Sequence, residues 1–274
     1  MRFVSPARAE VDAEVFARQP LASWGEFDAV LRGLAWPTVA QIDALRVSLG
    51  AHAATPRFVE QTPALLRDGL HYEQRIAERG EVATRAENWH DLINALVWLR
   101  HPRLKSALNI RQMAEIAIVG AKTRSRAQCA LTHFDEAGIV VKMPDPKLIA
   151  LWDAHDWHAL FWRERAAWRD GGIEVVVFGH ALLEHALRPK QLLVGKALVA
   201  SLNSDAVMHV AEAIRVGDAL NDPQELRPLP LSGIPGWHPD NDAESFYFEA
   251  PCFRSRRVDR RYPAPLAAKD VAGN

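Results

Sequence analysis

Cysteine is scarce in this chain: Cys129 and Cys252 are the only two, far apart and in no C-x-x-C arrangement. That excludes a disulfide framework and a thiolate zinc site, and leaves two unremarkable thiols. Long apolar runs are missing as well. No stretch approaches the roughly 18 residues that a membrane span needs, and Met1–Arg8 lacks the apolar core of a secretory signal, so a soluble cytoplasmic protein without a membrane partner is expected. Neither sign of charge prevails: 33 Lys and Arg against 34 Asp and Glu leave a net charge of -1. Nothing global draws the chain to nucleic acid, and any anion site must be local. No Gly-rich phosphate loop of the G-x-x-x-x-G-K-[ST] or G-x-G-x-x-G kind is present, nor a G-x-S-x-G nucleophile elbow, which disfavours nucleotide, dinucleotide and serine-hydrolase chemistry.

What is present is ordinary globular material, 49% hydrophobic and 24% charged over 274 residues, with nine Trp as its excess. That many tryptophans point to aromatic packing or an interface, a homo-oligomer included, before they point to a cofactor. The most informative stretch is Glu87 to Pro102. It reads as a helix capped by Asn88 and stopped by Pro102. Leu92, Ile93, Leu96 and Leu99 share one face; His90, Asp91, Asn94, Val97, Trp98 and His101 share the other. The second face is not a solvated one, which would carry Lys and Glu, but the wall of a cleft or a buried polar network.

Around it the pattern is mixed. Residues 11–50 read as helical scaffold, with Thr38 as a cap, and Arg57-Phe58-Val59 as a short strand. Leu70 to Ala77 alternates like a strand, with His71, Glu73 and Arg75 on one face. Helical character continues from Pro102 to Gly120. Gln128–Phe134 and Ile139–Lys142 read as a hairpin turning at Asp135-Glu136-Ala137-Gly138. Asp145 and Asp156 can cap helices, the second with a Trp157, Leu160, Phe161, Trp168 stripe suited to a core or dimer contact. A β-branched run, Ile173–Phe178, passes through Gly179 into a helix at His180. Leu193–Val199 is another strand, Ser204 or Asp205 another cap, and Ser245–Phe248 is strand-like. The Arg254–Arg261 segment is basic and reads as a solvated tail, with a phosphate-binding patch as the alternative. The sum is α+β, a helix-rich single domain with a small mixed or antiparallel sheet: an N-terminal helical segment 1–56, a core 57–220 and a loop-rich segment 221–274.

The motifs Tyr72-Glu73-Gln74-Arg75-Ile76, Asn88-Trp89-His90-Asp91-Leu92, Asn94-Ala95-Leu96-Val97-Trp98, Gly179-His180-Ala181-Leu182-Leu183-Glu184 and Gly233-Ile234-Pro235-Gly236-Trp237 resemble a bacterial family catalogued as domain of unknown function 3025. The resemblance runs from about Phe58 to Arg254. It implies a soluble, single-domain bacterial protein and brings no mechanism with it.

Two constellations could carry chemistry. In the first, His90, Asp91 and Asn94 with Glu73 supply a base and its orienters, and Arg75, Arg85 and Lys105 hold an anion. In the second, His180 and Glu184 lie four apart on one helical face. They fall short of H-E-x-x-H, and H-x-x-E-H has one fewer residue between its first His and Glu. If the two segments met, His90, Asp91, His180 and Glu184 would make a set of two histidines and two carboxylates for a divalent metal. A ββα-metal nuclease is a poor match, without its Asp-His pair or knuckle cysteines. The leading expectation is a hydrolase, metal-assisted if the segments meet, on an anionic or phosphate-bearing small molecule. The rival is a non-catalytic binding or assembly protein whose His/Asp/Asn face is a buried network.

Overall fold

The computed structural model describes residues 3–50, 55–120, 123–202 and 204–267. The chain opens with short 3-10 turns over Arg8–Glu10, Ala13–Ala17 and Leu21–Phe27, then α1 (Asp28–Leu31) and α2 (Val39–Ser48). So the helical reading of 11–50 holds for its second half, where Thr38 and Gln41 form a capping box. Next come β1 (Arg57–Glu60), α3 (Tyr72–Arg79), β2 (Glu81–Thr84), α4 (Trp89–Arg100), α5 (Pro102–Val119), α6 (Arg126–Ala137), β3 (Gly138–Lys142) and α7 (Pro146–Ala154). After a π turn at Ala159–Arg163 follow α8 (Arg165–Arg169), β4 (Glu174–Val177), α9 (His180–His185), β5 (Val194–Ser201), α10 (Ala206–Val216), β6 (Arg227–Pro230), α11 (Phe246–Glu249) and β7 (Leu266–Ala267). No helix among the described residues is long and apolar enough to cross a membrane.

The fold is helix-rich α+β with small mixed sheets. β1 and β2 pair in parallel, Phe58 against Val82. The larger sheet runs β4-β3-β5-β6: β3 lies antiparallel to β4 and parallel to β5, β6 is antiparallel to β5, and β7 pairs in parallel with the end of β5. β3 is its centre, and Ile139, Val140 and Val141 are buried on both faces. A strand buried on both faces reads as a continuous apolar run, which is why this one was legible.

Three segments differ from the sequence reading. Leu70–Ala77 is not a strand but mostly α3. Gly80, at φ 62, ends it in the left-handed conformation, and Gln74 accepts from the His71 backbone N–H at its start. Eight residues are too few for periodicity to separate the two, and the helix caps decide. The expected 128–142 hairpin is instead a helix, α6, running without a loop into β3. Ser125 and Gln128 cap it reciprocally, at 3.0 and 2.9 Å, so Asp135 and Glu136 stand in its last turn. Ser245–Phe248 is not a strand: Ser245 stands at the N-cap of α11, a single helical turn that contains Phe246 to Phe248.

The join between α6 and β3 sets the site. Both Phe178 and Gly179 donate backbone hydrogen bonds to the Gly138 carbonyl, at 2.9 and 2.8 Å. A Cβ on Gly179 would lie 2.4 Å from Ala137 Cα, so glycine lets the two backbones touch. The start of α9 is thereby pressed against the end of α6, while α4 packs across α9.

Candidate metal centre where α4, α6 and α9 meet

Asn88 caps α4 as expected, its Oδ1 accepting from the Asp91 N–H at 3.0 Å. Both faces of that helix are buried: Leu92, Ile93 and Leu96 enter the core, while His90, Asp91, Asn94 and Trp98 line a cleft of about 510 Å³. Val97 and His101 do not line it. His101 packs between Trp24 and Phe178.

At one wall of the cleft the His90 and His180 segments meet. Their Nε2 atoms stand 3.0 Å apart, and Glu136 Oε2 is 3.5 Å from His180 Nε2. One nitrogen from each histidine and one Glu136 oxygen all lie within 4.8 Å of one another, the one such group among the described residues. The outer nitrogen of His90, Nδ1, is 2.8 Å from Glu184 Oε2, and the other Glu184 oxygen accepts from the Ser5 hydroxyl. The i, i+4 spacing of α9 thus puts His180 and Glu184 on one face, where each meets His90 rather than the other.

The two imidazoles are set apart in charge. The hydrogen bond to Glu184 holds His90 above the usual histidine range, with Glu136 adding to it against the cost of burial. Burial pushes His180 down to about 3, with Lys105 and His90 working the same way and Asp135 against. His180 therefore stays neutral at neutral pH, with one ring nitrogen unprotonated. Its Nδ1 is buried without a hydrogen-bond partner, and Asp135 Oδ2 stands 3.9 Å from it. Burial raises the Glu136 carboxyl, partly offset by His90.

A second polar chain floors the cleft. Asn94 Nδ2 donates to the Tyr72 hydroxyl at 2.9 Å, Lys105 Nζ donates to Asn94 Oδ1 at 2.9 Å and to Asp135 Oδ1 at 2.6 Å. Burial pulls the Lys105 ammonium down, but Asp135, Tyr72 and Glu73 more than restore it. Glu73 accepts from Asn109 Nδ2 at 2.6 Å, and burial raises its carboxyl.

Other residues singled out in the sequence lie elsewhere. Asp91 is outside the three-residue group: its carboxylate takes the Arg85 backbone N–H at 2.6 Å and the guanidinium at 3.0 and 2.7 Å. Arg75 does not line the cleft. Because α3 is a helix, Arg75 turns away from Glu73 and is buried at 2% exposure against Asp68 and Glu81. Glu184 stands behind His90 rather than in the cluster. Glu136 stands in it, although the sequence pattern puts Glu136 in a turn; the signal that locates it is the Ser125-x-x-Gln128 capping box. Ser5 carried no local signal.

A family profile described as "Protein of unknown function (DUF3025)" matches residues 56–257. The chain belongs to the DUF3025 family. The DUF3025 match includes His90, Glu136, His180 and Glu184 and leaves Ser5 outside. No curated protein and no solved structure matches the chain.

Proposed function

We propose that His90, His180 and Glu136 hold one divalent transition-metal ion, and that the protein is a metal-assisted hydrolase of a small anionic substrate. The convergence of two imidazole Nε2 atoms and one carboxylate carries this reading. Ligands at about 2.1 Å from one ion, at angles between square and tetrahedral, stand roughly 3.0–3.4 Å apart. The two nitrogens meet that separation. Glu184 on the outer nitrogen of His90 supplies the carboxylate-histidine support that orients a ligand and raises its basicity. Three protein ligands leave further positions for water and substrate, and all three residues line the open cleft.

A bound divalent ion would lower the pKa of its water toward neutrality. Hydrolysis then adds the water's hydroxyl to the electrophilic centre and passes its proton to the leaving group. Glu73, its carboxyl raised by burial, lines the same cleft and is an acid-base group suited to that proton transfer. Arg85 and Arg124 line it too; Asp91 holds Nε and Nη2 of Arg85, and Arg124 offers an anion its guanidinium group. The assembly reading is less well supported, since none of the nine tryptophans is exposed. One observation favours a second catalytic reading: the opposite shifts of His90 and His180, 3.0 Å apart, also suit a metal-free acid-base pair.

Elemental analysis of untagged protein separates the two. Stoichiometric metal is expected in the wild type, absent in His90→Ala and His180→Ala, with Glu184→Gln weakening its affinity about 10–100-fold. A wild type that neither retains metal nor takes up Zn²⁺, Mn²⁺ or Co²⁺ on dialysis overturns the metal centre and leaves the acid-base pair.

A further inference from the structure

The basic tail is not a free solvated arm. Trp157 Nε1 donates to the Arg254 carbonyl at 2.8 Å, His155 Nε2 is 2.8 Å from the Tyr262 hydroxyl, and Arg227 donates to the Pro263 carbonyl at 2.6 Å. Arg260 donates to the Gln224 and Leu226 carbonyls and lies 4.7 Å from the centre of the Tyr262 ring. So anchored, the tail closes a cavity of about 670 Å³ that shares no residue with the first cleft.

The lining of this cavity is chemically one-sided. Lys196, Arg254, Arg257 and Arg260 contribute to it, and no Asp or Glu among the described residues does. The side chains of Lys196, Arg254 and Arg257 have no hydrogen-bond or ion-pair partner among the described residues, in a chain whose net charge is only -1. Lys196 remains exposed at its surface, yet the walls around its ammonium, and Arg260 beside it, hold it below the usual lysine range. A cluster of like charge without counter-charge is a cost that an anionic ligand removes. Guanidinium forks with an ammonium suit a phosphate better than a single carboxylate, because a dianion with three terminal oxygens can engage several of them at once. Trp157, Leu226, Pro228 and Tyr262 make the rest of the wall aromatic and apolar. Cys252, also in the lining, is pushed up to about 11 by burial, so it stays a thiol and offers no nucleophile.

We infer that this cavity is a second, non-catalytic binding site for a phosphorylated small molecule with an aromatic or aliphatic body. The phosphate sits among Lys196, Arg254 and Arg257, and the body lies against Trp157, Leu226 and Tyr262. Calorimetric titration of the full chain with phenyl phosphate, at moderate salt, tests it. Saturable one-to-one binding is expected, at least about tenfold tighter than inorganic phosphate and weakened at least about tenfold in a Lys196→Gln/Arg257→Gln double variant that melts like the wild type. His180→Ala should bind phenyl phosphate as the wild type does. No saturation at millimolar ligand, unchanged binding in the double variant, or affinity no better than for inorganic phosphate overturns the site. Binding lost in His180→Ala also overturns it, since the ligand would then occupy the other cleft.

Discussion

His90, His180 and His101 share one side chain and carry three different protonation tendencies, each set by its neighbours. His90 has Glu184 on one nitrogen and is raised; His180, fully enclosed beside Lys105, is lowered to about 3. His101 has no catalytic company. Its Nε2 is buried without a partner, and burial, aided by Arg100, lowers it to about 4 from 6.5. The native state thus keeps His101 neutral where the unfolded chain takes up a proton. Both states are mostly neutral at pH 7, so His101 takes little from stability there. As pH falls through 6.5 the unfolded state binds the proton first, and stability is lost until about pH 4, to a limit of about 3 kcal/mol. Denaturant unfolding of the wild type and of His101→Leu between pH 7 and 4.5 should diverge, the wild type losing more. Parallel curves would show that the site accepts a proton in the native state.

Helix ends explain most of what could be read at the scale of elements. Asn88, Asp145 and Asp205 each accept the backbone N–H groups expected of a cap, and the helices they start were legible for that reason. β3 and β4 were legible from β-branched runs. α3 and α6 were not, because short polar runs alternate by chance and their capping partners weighed less than the alternation. Most residues of the candidate site are legible in the same way: local pattern singles out His90, His180 and Glu184, whereas Glu136 is hidden because α6 looks like a hairpin, and the meeting of α4 with α9 is a tertiary fact that no local pattern encodes. The contact between Gly179 and the α6–β3 join is another such fact. Gly179→Ala should cost about 3 kcal/mol or more, since both nearest atoms are backbone and cannot rotate away. Gly25→Ala, whose Cβ meets open space, should change stability by less than about 1 kcal/mol. Equal melting temperatures for the two variants would mean that the α6–β3 join has slack.

Across the whole molecule the buried apolar residues form one cluster, from Val15 and Phe16 in the opening turns to Tyr247 near the tail. The opening turns are tied to the rest: Phe16 packs on Trp89, and Arg8 lies 4.8 Å from the centre of the Trp89 ring. A shared core should melt as one. We expect a single thermal transition with calorimetric and van't Hoff enthalpies in agreement, and a separate early transition would set residues 3–50 apart as their own unit. The two histidines of the centre stand ninety positions apart in the chain, on helices that touch only once α4 has crossed α9. Such a contact closes a long loop, and we expect it to form late in folding. Whatever occupies it therefore acts less on how fast the chain folds than on how slowly it comes apart, and occupancy would set the lifetime of the native state.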